Sequence, residues 1–435
     1  MKINKVKGTH DLFNDEARSY DYIELLFKSV ANSFSYDSMR TPIIEHTELF
    51  QRSTGESSDI VRKEMYTFLD KGNRSITLRP ELTAGIMRSI VENKLYATSD
   101  LPIKCYYMGP NFRYERPQQG RYRQFYQMGV ECIGEDNVFY DAECIIMGYH
   151  YLTMLGLENV KLRINSLGGN ISRNNYRKAL DEYFSNHIDK MCDDCKERLK
   201  LNPLRILDCK VKEDQEIVAD APKISDYLTT EDKERFEYLC ELLEENEIPY
   251  EIDEGLVRGL DYYSHVIFEF HYTTESGLNV GAVGAGGHYD NLSEDVGGPK
   301  MSGVGLAFGE ERLYGILNDE GIDTHNKVQT DIYIMPLGKE QRQNCFWLAN
   351  ELRDEGYRVE VNLNNKPLRS QFKIAEHMNA KIGLIVGDEE IENDTIIVRN
   401  LEAKEQESVP LEELVETLDE IFGLVDHDHD DEEGE

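Results

Sequence analysis

The spacing of apolar residues predicts alternating helices and strands over the first 170 residues of the chain. Residues 18–34 place apolar side chains at helical intervals, so we expect an amphipathic helix there. Residues 40–50 form an extended run, because Pro42 disfavours helix at the residue before it. A strand over residues 75–79 leads into a predicted helix over residues 80–95, which begins with a proline, as helices often do.

Two further strand patterns predict an antiparallel hairpin. Residues 104–113 and 123–133 flank a loop at residues 116–120 that is rich in proline, glutamine and glycine. Residues 170–249 are polar, charged and helical in pattern, so we expect a helical insertion at this point. Strand signals return at residues 266–270.

The chain after this insertion ends in a second alternating pattern. A glycine-rich stretch at residues 281–287 precedes residues 303–317, which are typical of a strand running into a helix. Residues 318–330 are polar and predict a linker. The alternation that follows indicates a small separate α/β domain. Its predicted strands cover residues 331–337, 357–363, 381–387 and 396–401, and its predicted helices cover residues 341–355, 368–378 and 411–422.

The overall composition is that of folded domains outside the membrane. Of 435 residues, 40% are hydrophobic and 30% are charged, which suits several folded domains. Apolar runs fall short of the roughly 18 residues that a membrane helix needs. The N-terminal residues carry no signal pattern, so we expect a cytoplasmic protein.

The charge pattern contains one exception to a strongly acidic average. The net charge is −35, whereas proteins that bind nucleic acid usually present basic surfaces. Seven acidic residues belong to residues 424–435, which we expect to form a disordered, solvating tail. Residues 112–125 instead hold four arginines and one glutamate. Such a basic island in an acidic protein favours binding of a polyanion.

The cysteines leave two interpretations open. Eight cysteines in a long chain do not indicate a disulfide scaffold. Cys192, Cys195 and Cys209 form a CxxC pair with a third thiol downstream, which could supply three ligands of a zinc site. The fourth ligand would then be His187, at an unusual spacing. Alternatively, the thiols are free and reduced, and we assign no metal ligand from the sequence.

The hairpin strands carry the strongest sign of chemistry. Because side chains alternate along a strand, Phe125, Gln127, Gly129 and Glu131 share one face. Glycine between two polar residues opens space in which a small ligand could lie. Arg113 and the nearby acidic residues would be a costly core if nothing filled this space. The alternative is an exposed sheet face with surface ion pairs.

Five stretches, in this order, resemble the motifs of the class II aminoacyl-tRNA synthetases. Each stretch alone is weakly specific, but the similarity runs from residue 6 through the C-terminal domain. The stretches are RTPIIEHTELF (residues 40–50, motif 1), FRYE with RYRQF (112–125, motif 2), LVRGLDYY (256–263) and AGGHYDNL (285–292), both typical of histidine-specific members, and GVGLAFGEER (303–312, motif 3).

The resemblance implies that a histidine carboxylate attacks the α-phosphate of ATP. Guanidinium groups suit this reaction, because they stay charged and bind phosphate through two parallel hydrogen bonds. By match to the family, Arg113 would hold the α-phosphate, and Arg121 and Arg312 the outer phosphates. Glu115 would meet the adenine amino group, and Phe125 would stack on the adenine ring. Magnesium is expected with ATP, and no organic cofactor is expected.

The family also implies a histidine pocket. Arg258 would contact both the carboxylate and the α-phosphate, so Arg258 and Arg113 are the expected catalytic residues. A selective pocket must satisfy both ring nitrogens of histidine. The family places Glu81, Thr83 and Gln127 on the ammonium group, Glu131 and Tyr263 on the ring, and Tyr262 in the wall of the same pocket.

The resemblance implies an α+β fold, in which helices flank an antiparallel catalytic sheet. We expect the catalytic core in residues 1–169 and 250–322, the helical insertion in 170–249 and an anticodon-binding α/β domain in 330–423. The expected activity is ATP-dependent activation of L-histidine and its transfer to tRNA(His) by a homodimer, with motif 1 at the dimer interface. The insertion is expected to grip the acceptor arm of the tRNA.

Two non-catalytic alternatives share this ancestry. One is a synthetase-like regulatory subunit of ATP phosphoribosyltransferase, which would lack the C-terminal domain and the histidine-specific arginine. The other is a tRNA sensor, which would lack the ATP-contacting arginines. Arg258, Arg113 and Arg312 are all present, so the ligase is the favoured interpretation.

Several residues depart from the family pattern or have no settled role. Leu82 stands where bacterial members often have glycine, and His288 where arginine is usual, which could weaken a supporting contact. Glu310 replaces an aliphatic residue, which is tolerable if it is exposed. In the C-terminal domain, Arg369, Gln371 and Lys373 are candidates for tRNA contact, although a solvated helix face is an equally good interpretation.

Overall fold

The computed structural model describes residues 2–55, 58–97, 100–117, 120–257, 261–324, 327 and 330–424. The chain divides at residue 325 into two compact units. Among the described residues, no helix combines the length and the apolar character that crossing a membrane requires.

The first unit is built on an eight-stranded sheet. Its strands lie in the order β1-β5-β6-β11-β10-β9-β7-β8, and β2, β4 and β3 form a separate antiparallel sheet. The strands are β1 Asp37–Ser38, β2 Ile44–His46, β3 Tyr66–Leu69, β4 Ser75–Leu78, β5 Ile103–Phe112, β6 Gln124–Ile133, β7 Val160–Ser166, β8 Tyr250–Ile252, β9 Tyr263–Thr273, β10 Asn279–Tyr289 and β11 Gly303–Gly309. The central strands pair antiparallel, and only the edge strands β1 and β8 pair parallel with their neighbours in this described sheet.

Helices cover one face of this sheet and form the inserted segment. They are α1 Asn14–Ser33, α2 Thr47–Ser53, α3 Thr83–Glu92, α4 Val138–Met154, α5 Asn170–Ser185, α6 Asp193–Leu201, α7 Lys212–Ala219, α8 Thr230–Glu245, α9 Leu292–Asp295 and α10 Glu310–Glu320. A π-helical turn spans Ile60–Glu64, and short 3₁₀ helices span Leu95–Ala97, Ile188–Lys190, Pro203–Asp208 and Ile224–Asp226.

The main core lies between the sheet and helices α1, α4 and α10. Phe27, Tyr151 and Phe308 meet there with ring centroids 5.1–6.2 Å apart, as aromatic pairs prefer. Met128 and Val130 of β6 point into this core. The opposite face of β6 is therefore free to carry polar side chains, as the alternation predicted.

The second unit has a five-stranded sheet in the order β13-β12-β14-β15-β16. Its strands are β12 Ile332–Pro336, β13 Val359–Val361, β14 Ile382–Val386, β15 Thr395–Asn400 and β16 Gln406–Pro410, and its helices are α11 Lys339–Asp354, α12 Leu368–His377, α13 Asp388–Glu392 and α14 Leu414–Phe422, with a 3₁₀ turn at Leu411–Glu413. The predicted alternation is confirmed, but β16 and α13 were not predicted.

The α+β class, the hairpin of β5 and β6 and the helical character of residues 170–249 are confirmed. The extended run over residues 40–50 was wrong in its second half, since α2 begins at Thr47. The linker was placed too early, because α10 continues to Glu320. The domain boundaries stay predictions, and the predicted tail beyond Leu424 lies outside the described residues.

Candidate active site

Two adjoining cavities open on the polar face of the eight-stranded sheet. The inner cavity has a volume of about 780 Å³ including its mouth, and the outer cavity one of about 1100 Å³. The polar wall of the inner cavity consists of Glu81, Thr83, Tyr107, Arg113, Gln127, Glu131, Tyr262, Tyr263 and Tyr289. The polar wall of the outer cavity consists of Arg113, Glu115, Arg121, Tyr122, Gln127, Glu269, Glu311 and Arg312, and Phe125 adds an aromatic ring. Arg113 and Gln127 belong to both.

Glu131 forms the floor of the inner cavity. Its side chain is 1% exposed, and three hydroxyl groups donate hydrogen bonds to its carboxylate. Thr83 Oγ1 and Tyr107 Oη lie 2.7 and 2.9 Å from Oε1, and Tyr289 Oη lies 2.6 Å from Oε2. Burial raises the pKa of Glu131 to about 8, although these hydrogen bonds oppose the rise. The carboxylate is thus held in one orientation, facing the cavity.

Glu81 lies at the start of α3, on another wall of the same cavity. It is 5% exposed, and its Oε1 accepts a hydrogen bond of 3.0 Å from the backbone N–H of Ala84. This contact satisfies one of the unpaired N–H groups of the helix N-terminus. Burial raises the pKa of Glu81. The helix begins at Thr83, three residues later than predicted, and Glu81 lies just before its N-terminus.

From the sequence we expected Gly129 to open space for a ligand, and this expectation was wrong. A Cβ atom at this position would lie 2.4 Å from Leu306 O and 2.5 Å from Tyr107 Oη. Tyr107 lies opposite Gly129 in the β5–β6 register, and its ring crosses the space that the glycine leaves. The glycine therefore allows Tyr107 to reach Glu131, and the Tyr107 ring, not Gly129, lines the space for a ligand.

Three tyrosines close the inner cavity. The Tyr262 ring lies 4.6 Å from the Tyr263 ring and 5.6 Å from that of Tyr289. All three are largely buried. Asn111 Nδ2 donates to Gln127 Oε1 at 2.6 Å, which orients the Gln127 amide at the mouth. The inner cavity thus combines two carboxylates, an amide and phenolic hydroxyls around a small space.

The outer cavity collects three arginines. Arg113 donates from Nε to Pro80 O at 2.9 Å, and its guanidinium lies 5.1 Å from the centre of the Phe125 ring. Arg312 donates to Ala282 O, and burial, together with the nearby Arg121 charge, lowers the pKa of Arg312. Positive charges held close together in a partly buried groove repel one another, and an anionic ligand bound between them would relieve this repulsion.

Carboxylates also face the outer cavity. Arg121 Nη1 lies 3.9 Å from Glu115 Oε2, in a loose ion pair. Glu311 accepts a hydrogen bond of 2.8 Å from the backbone N–H of Tyr126, and burial raises the pKa of Glu311 to about 7. Glu269 lines the same wall and contacts His271 at 2.8 Å.

Every described residue that was predicted to contact histidine or ATP lines one of the two cavities. Arg258 lies outside the described residues. Sequence reasoning missed Tyr107, Tyr289, Glu269 and Glu311 as cavity residues. The odd-numbered alternation along β5 could have identified Tyr107, which shares a face with Arg113.

Two further residues differ from what the sequence suggested. Glu310 is buried, at 0% exposure, so the exposed position that would make its departure from the family pattern tolerable is not what the structure shows. Gln371 is also buried, and its Nε2 donates to Pro336 O and Lys366 O at 3.0 and 2.9 Å, so it is not an exposed tRNA contact. Residues two apart on a helix face different directions, and Arg369 and Lys373 remain exposed.

His288 belongs to a buried network outside the two cavities. Its Nδ1 lies 2.7 Å from Asp141 and its Nε2 3.2 Å from Asp290. Arg235 also donates to Asp141, at 2.8 Å. Burial lowers the pKa of His288, but the two aspartates outweigh it and raise the pKa to about 9. A cation therefore still occupies the position where arginine is usual.

Comparison with known proteins agrees with this geometry. The family model described as histidyl-tRNA synthetase matches residues 8–313, and an anticodon-binding domain model matches residues 331–421. The histidine–tRNA ligase of Bacillus licheniformis is 44% identical over 418 residues, which cover 96% of this chain and 99% of that protein. That of Bacillus subtilis is 43% identical over 418 residues, with coverage of 96% and 99%.

A solved structure extends the likeness to the fold. The apo histidyl-tRNA synthetase of S. aureus has a TM-score of 0.83 and 37% sequence identity, and the match covers 96% of this chain and 100% of that one. Both cavities lie within residues 8–313, which the first family model matches. The chain therefore belongs to the histidyl-tRNA synthetase family of enzymes.

Proposed function

We propose that this enzyme activates L-histidine with ATP and transfers the product to tRNA(His). One observation carries the proposal: two buried carboxylates face a small cavity that joins an arginine-lined groove. Buried carboxylates call for cationic or hydrogen-bond-donating partners, and clustered arginines call for an anion. A ligand pair consisting of an amino acid with an N–H-bearing ring and a nucleoside triphosphate meets both demands.

In the inner cavity, histidine would be held at both ends. Its ammonium would lie against Glu81, Thr83 and the remaining lone pair of Gln127 Oε1. Its ring would donate an N–H to Glu131 and meet the Tyr263 hydroxyl, with Tyr262 along one side. An amino acid without ring nitrogens would leave these buried groups unpaired, and this would reject it strongly.

In the outer cavity, ATP would lie along the arginines. Phe125 would stack on the adenine, Glu115 would accept from its amino group, and Arg121 and Arg312 would bind the outer phosphates. Arg113 lines both cavities, so its guanidinium would contact the α-phosphate beside the histidine carboxylate. Arg258 would add a second positive charge there; its assignment rests on the family motif.

The reaction then needs little beyond positioning and charge neutralisation. A histidine carboxylate oxygen forms a bond to the α-phosphorus, the bond to the bridging oxygen breaks, and pyrophosphate leaves. A terminal hydroxyl of the tRNA next attacks the carbonyl carbon of the adenylate and releases AMP. Arg113 would stabilise the charge that develops on the α-phosphate oxygens.

Magnesium would enter with ATP. Glu269 and Glu311 supply carboxylate oxygens to the outer cavity, and such hard oxygen ligands suit this ion. They would hold it against the outer phosphates, where it neutralises phosphate charge. The burial that raises the pKa of Glu311 to about 7 marks a carboxylate that gains from a neighbouring cation.

We also propose a cytoplasmic homodimer that uses the β2-β4-β3 sheet. Strand β2 of this sheet lies within the segment that resembles motif 1, and the sheet leaves Ile44 of β2 and Phe68 of β3 exposed. Apolar side chains clustered on a surface favour burial against a partner. Light scattering on the Phe68→Asp variant should give a lower mass than the parent; an unchanged mass would contradict this interface.

Histidine-dependent exchange of pyrophosphate into ATP tests the main proposal. The parent should exchange with histidine, whereas Arg113→Ala should lose about 10²- to 10³-fold or more, because a guanidinium that stabilises developing charge is removed. Arg74→Ala is a suitable control, since Arg74 lies on an exposed turn and pairs with Asp70. Exchange driven by another amino acid, or unaffected by Arg113→Ala, would refute the proposal.

The non-catalytic alternatives are not favoured. The Bacillus licheniformis and Bacillus subtilis relatives, which match over nearly the full length, are ligases by name, and the anticodon-binding match covers the domain that a regulatory subunit would lack. A folded parent without any exchange activity would reopen these alternatives.

A further inference from the structure

We propose that the helical insertion holds a structural zinc ion, bound by Cys192, Cys195, Cys209 and Asp214. The candidate ligand atoms, three sulfurs and one carboxylate oxygen, all lie within 4.8 Å of one another. Zinc prefers four ligands in a tetrahedral arrangement, and thiolates with a fourth nitrogen or oxygen ligand are frequent at its sites. None of these four residues lines either cavity of the candidate active site.

The distances approach those of a formed site. Zn–S bonds of about 2.3 Å and Zn–O bonds of about 2.0 Å place tetrahedral ligands roughly 3.8 Å (S···S) and 3.5 Å (S···O) apart. Cys192 Sγ and Cys209 Sγ are 3.9 Å apart, and Cys209 Sγ lies 3.2 Å from Asp214 Oδ2. An ion could therefore enter with shifts of a few tenths of an ångström for these pairs.

The site ties together segments that are separate along the insertion. Cys192 precedes α6 and Cys195 lies in its first turn. Cys209 follows the 3₁₀ helix Pro203–Asp208, and Asp214 lies in the first turn of α7. These elements surround a small core that includes Tyr176, Leu180 and Phe184. Small cores of this kind often need a metal or a cross-link in addition to apolar packing.

The buried carboxylate argues for a cation at this place. Asp214 is 1% exposed. Its oxygens accept from the backbone N–H of Cys192 at 3.2 Å and from the thiol of Cys209, which is a weak donor. The thiols of Cys192 and Cys195 also donate to Asp214, so all its side-chain partners are weak donors, and a buried charge of this kind is costly unless a cation compensates it. A divalent ion would supply that compensation and take the thiolates as ligands.

Two other arrangements of these residues are less suitable. The Cys192–Cys209 separation of 3.9 Å exceeds the roughly 2.05 Å of a disulfide bond, and all eight cysteines are free thiols. His187, the fourth ligand suggested by the sequence, points elsewhere. Its Nδ1 lies 2.8 Å from Tyr183 O and its ring stacks on Tyr183. Asp214 takes the place that we had considered for His187.

The ion would fix the segment that contacts the histidine-binding loop. Asn202 Nδ2 and Arg205 Nη2 both lie 2.9 Å from Asp261 Oδ1. Asp261 immediately precedes Tyr262 and Tyr263 of the inner cavity. Loss of the ion would loosen the segment between α6 and Cys209, and so the support of these two tyrosines.

Metal analysis of the full-length enzyme, purified without chelators or a metal-affinity tag, tests the proposal. We expect roughly one zinc per chain, and reconstitution with cobalt(II) should give thiolate charge-transfer and tetrahedral d–d bands. Cys195→Ser and Asp214→Asn should lower the zinc content, the cysteine variant at least about tenfold. Chelation should lower the melting temperature of the parent and raise its KM for histidine.

Matched variants separate metal loss from general damage. Cys240→Ser changes a partly buried cysteine of α8 outside the cluster, and His187→Ala removes the alternative ligand; both should retain zinc. The decisive measurement is made on the reduced, folded parent protein, so its result does not depend on whether a variant folds. If the parent carries no zinc and gives no tetrahedral cobalt spectrum, or if mass analysis finds a disulfide among these cysteines, the proposal is wrong.

Discussion

Glu131 and Glu310 are both buried glutamates of the same folded unit, and they differ in what surrounds them. Glu131 receives hydrogen bonds from Thr83, Tyr107 and Tyr289, and it faces the inner cavity. Glu310 is fully buried, and neither of its oxygens has a hydrogen-bond donor of normal geometry within the described part of the chain.

The contrast shows that burial of the same chemical group can have opposite consequences. At Glu131, three hydroxyl groups fix the carboxylate where a ligand arrives, so the cost of burial is offset when the ligand binds. At Glu310, the nearby Glu24 and Glu311 add like charge instead, and burial and these charges raise the pKa of Glu310 well above its usual range. One site is organised for binding, whereas at the other the buried carboxyl has only a neighbouring acid, Glu24, as a hydrogen-bonding side chain.

The largest effect should come from Glu131→Gln. The amide has nearly the same shape but no charge, and its NH₂ group cannot accept the hydroxyl hydrogen bonds. We expect kcat/KM for histidine in pyrophosphate exchange to fall about 10²- to 10⁴-fold, since a buried partner of the ring is lost. The KM for ATP should change little, because Glu131 lies outside the outer cavity.

Glu310→Gln is the matched control for this substitution. It makes the same chemical change at another buried position, and exchange activity should stay near that of the parent. If both variants lose activity equally, Glu131 has no special place in histidine binding. If neither does, the inner cavity is not the histidine site.

A smaller effect, of opposite sign, is expected for Glu310→Leu. Leucine restores the aliphatic character that is usual at this position and removes an unsatisfied buried carboxyl, which costs about 1–3 kcal/mol. The free energy of unfolding should rise by a similar amount, with unchanged exchange activity. Urea unfolding of the parent and the variant measures this difference, and a destabilised variant would show that the carboxyl has a stabilising partner.

Neither role could be fully predicted from the sequence. Strand alternation correctly placed Gln127 and Glu131 on one polar face, and the motif order led to the arginines of the outer cavity. Alternation along β5 places Tyr107 on the face of Arg113, but it does not say that the Tyr107 ring fills the gap beside Gly129 of the neighbouring strand. For the same reason the sequence did not decide whether Glu310 is exposed: its burial depends on packing among α1, β6 and α10, which no local pattern encodes.

The glycine-rich stretch shows that close packing of two backbones is equally hard to predict from local sequence. Residues 281–287 carry few apolar side chains, yet they belong to the strand β10, Asn279–Tyr289. A Cβ atom at Gly286 would lie 2.1 Å from Gly305 O, so glycine is required by the close approach of β11. That requirement comes from a strand met some twenty residues later, and local propensity opposes it.

The smallest effect, taken per pH unit, is a change of the Glu310→Leu difference with pH. Folded Glu310 has a raised pKa because of burial and its acidic neighbours, whereas in the unfolded chain it titrates near about 4.3. Between these two pKa values the folded state binds more protons, so the stability of the parent falls as pH rises, by at most about 1.4 kcal/mol per pH unit. Leucine does not titrate, and the advantage of the variant should therefore be smallest near pH 5 and largest near pH 8. Urea unfolding at several pH values with both proteins checks this expectation. A constant difference would mean that Glu310 keeps an ordinary pKa despite its burial, which would remove the contrast with Glu131.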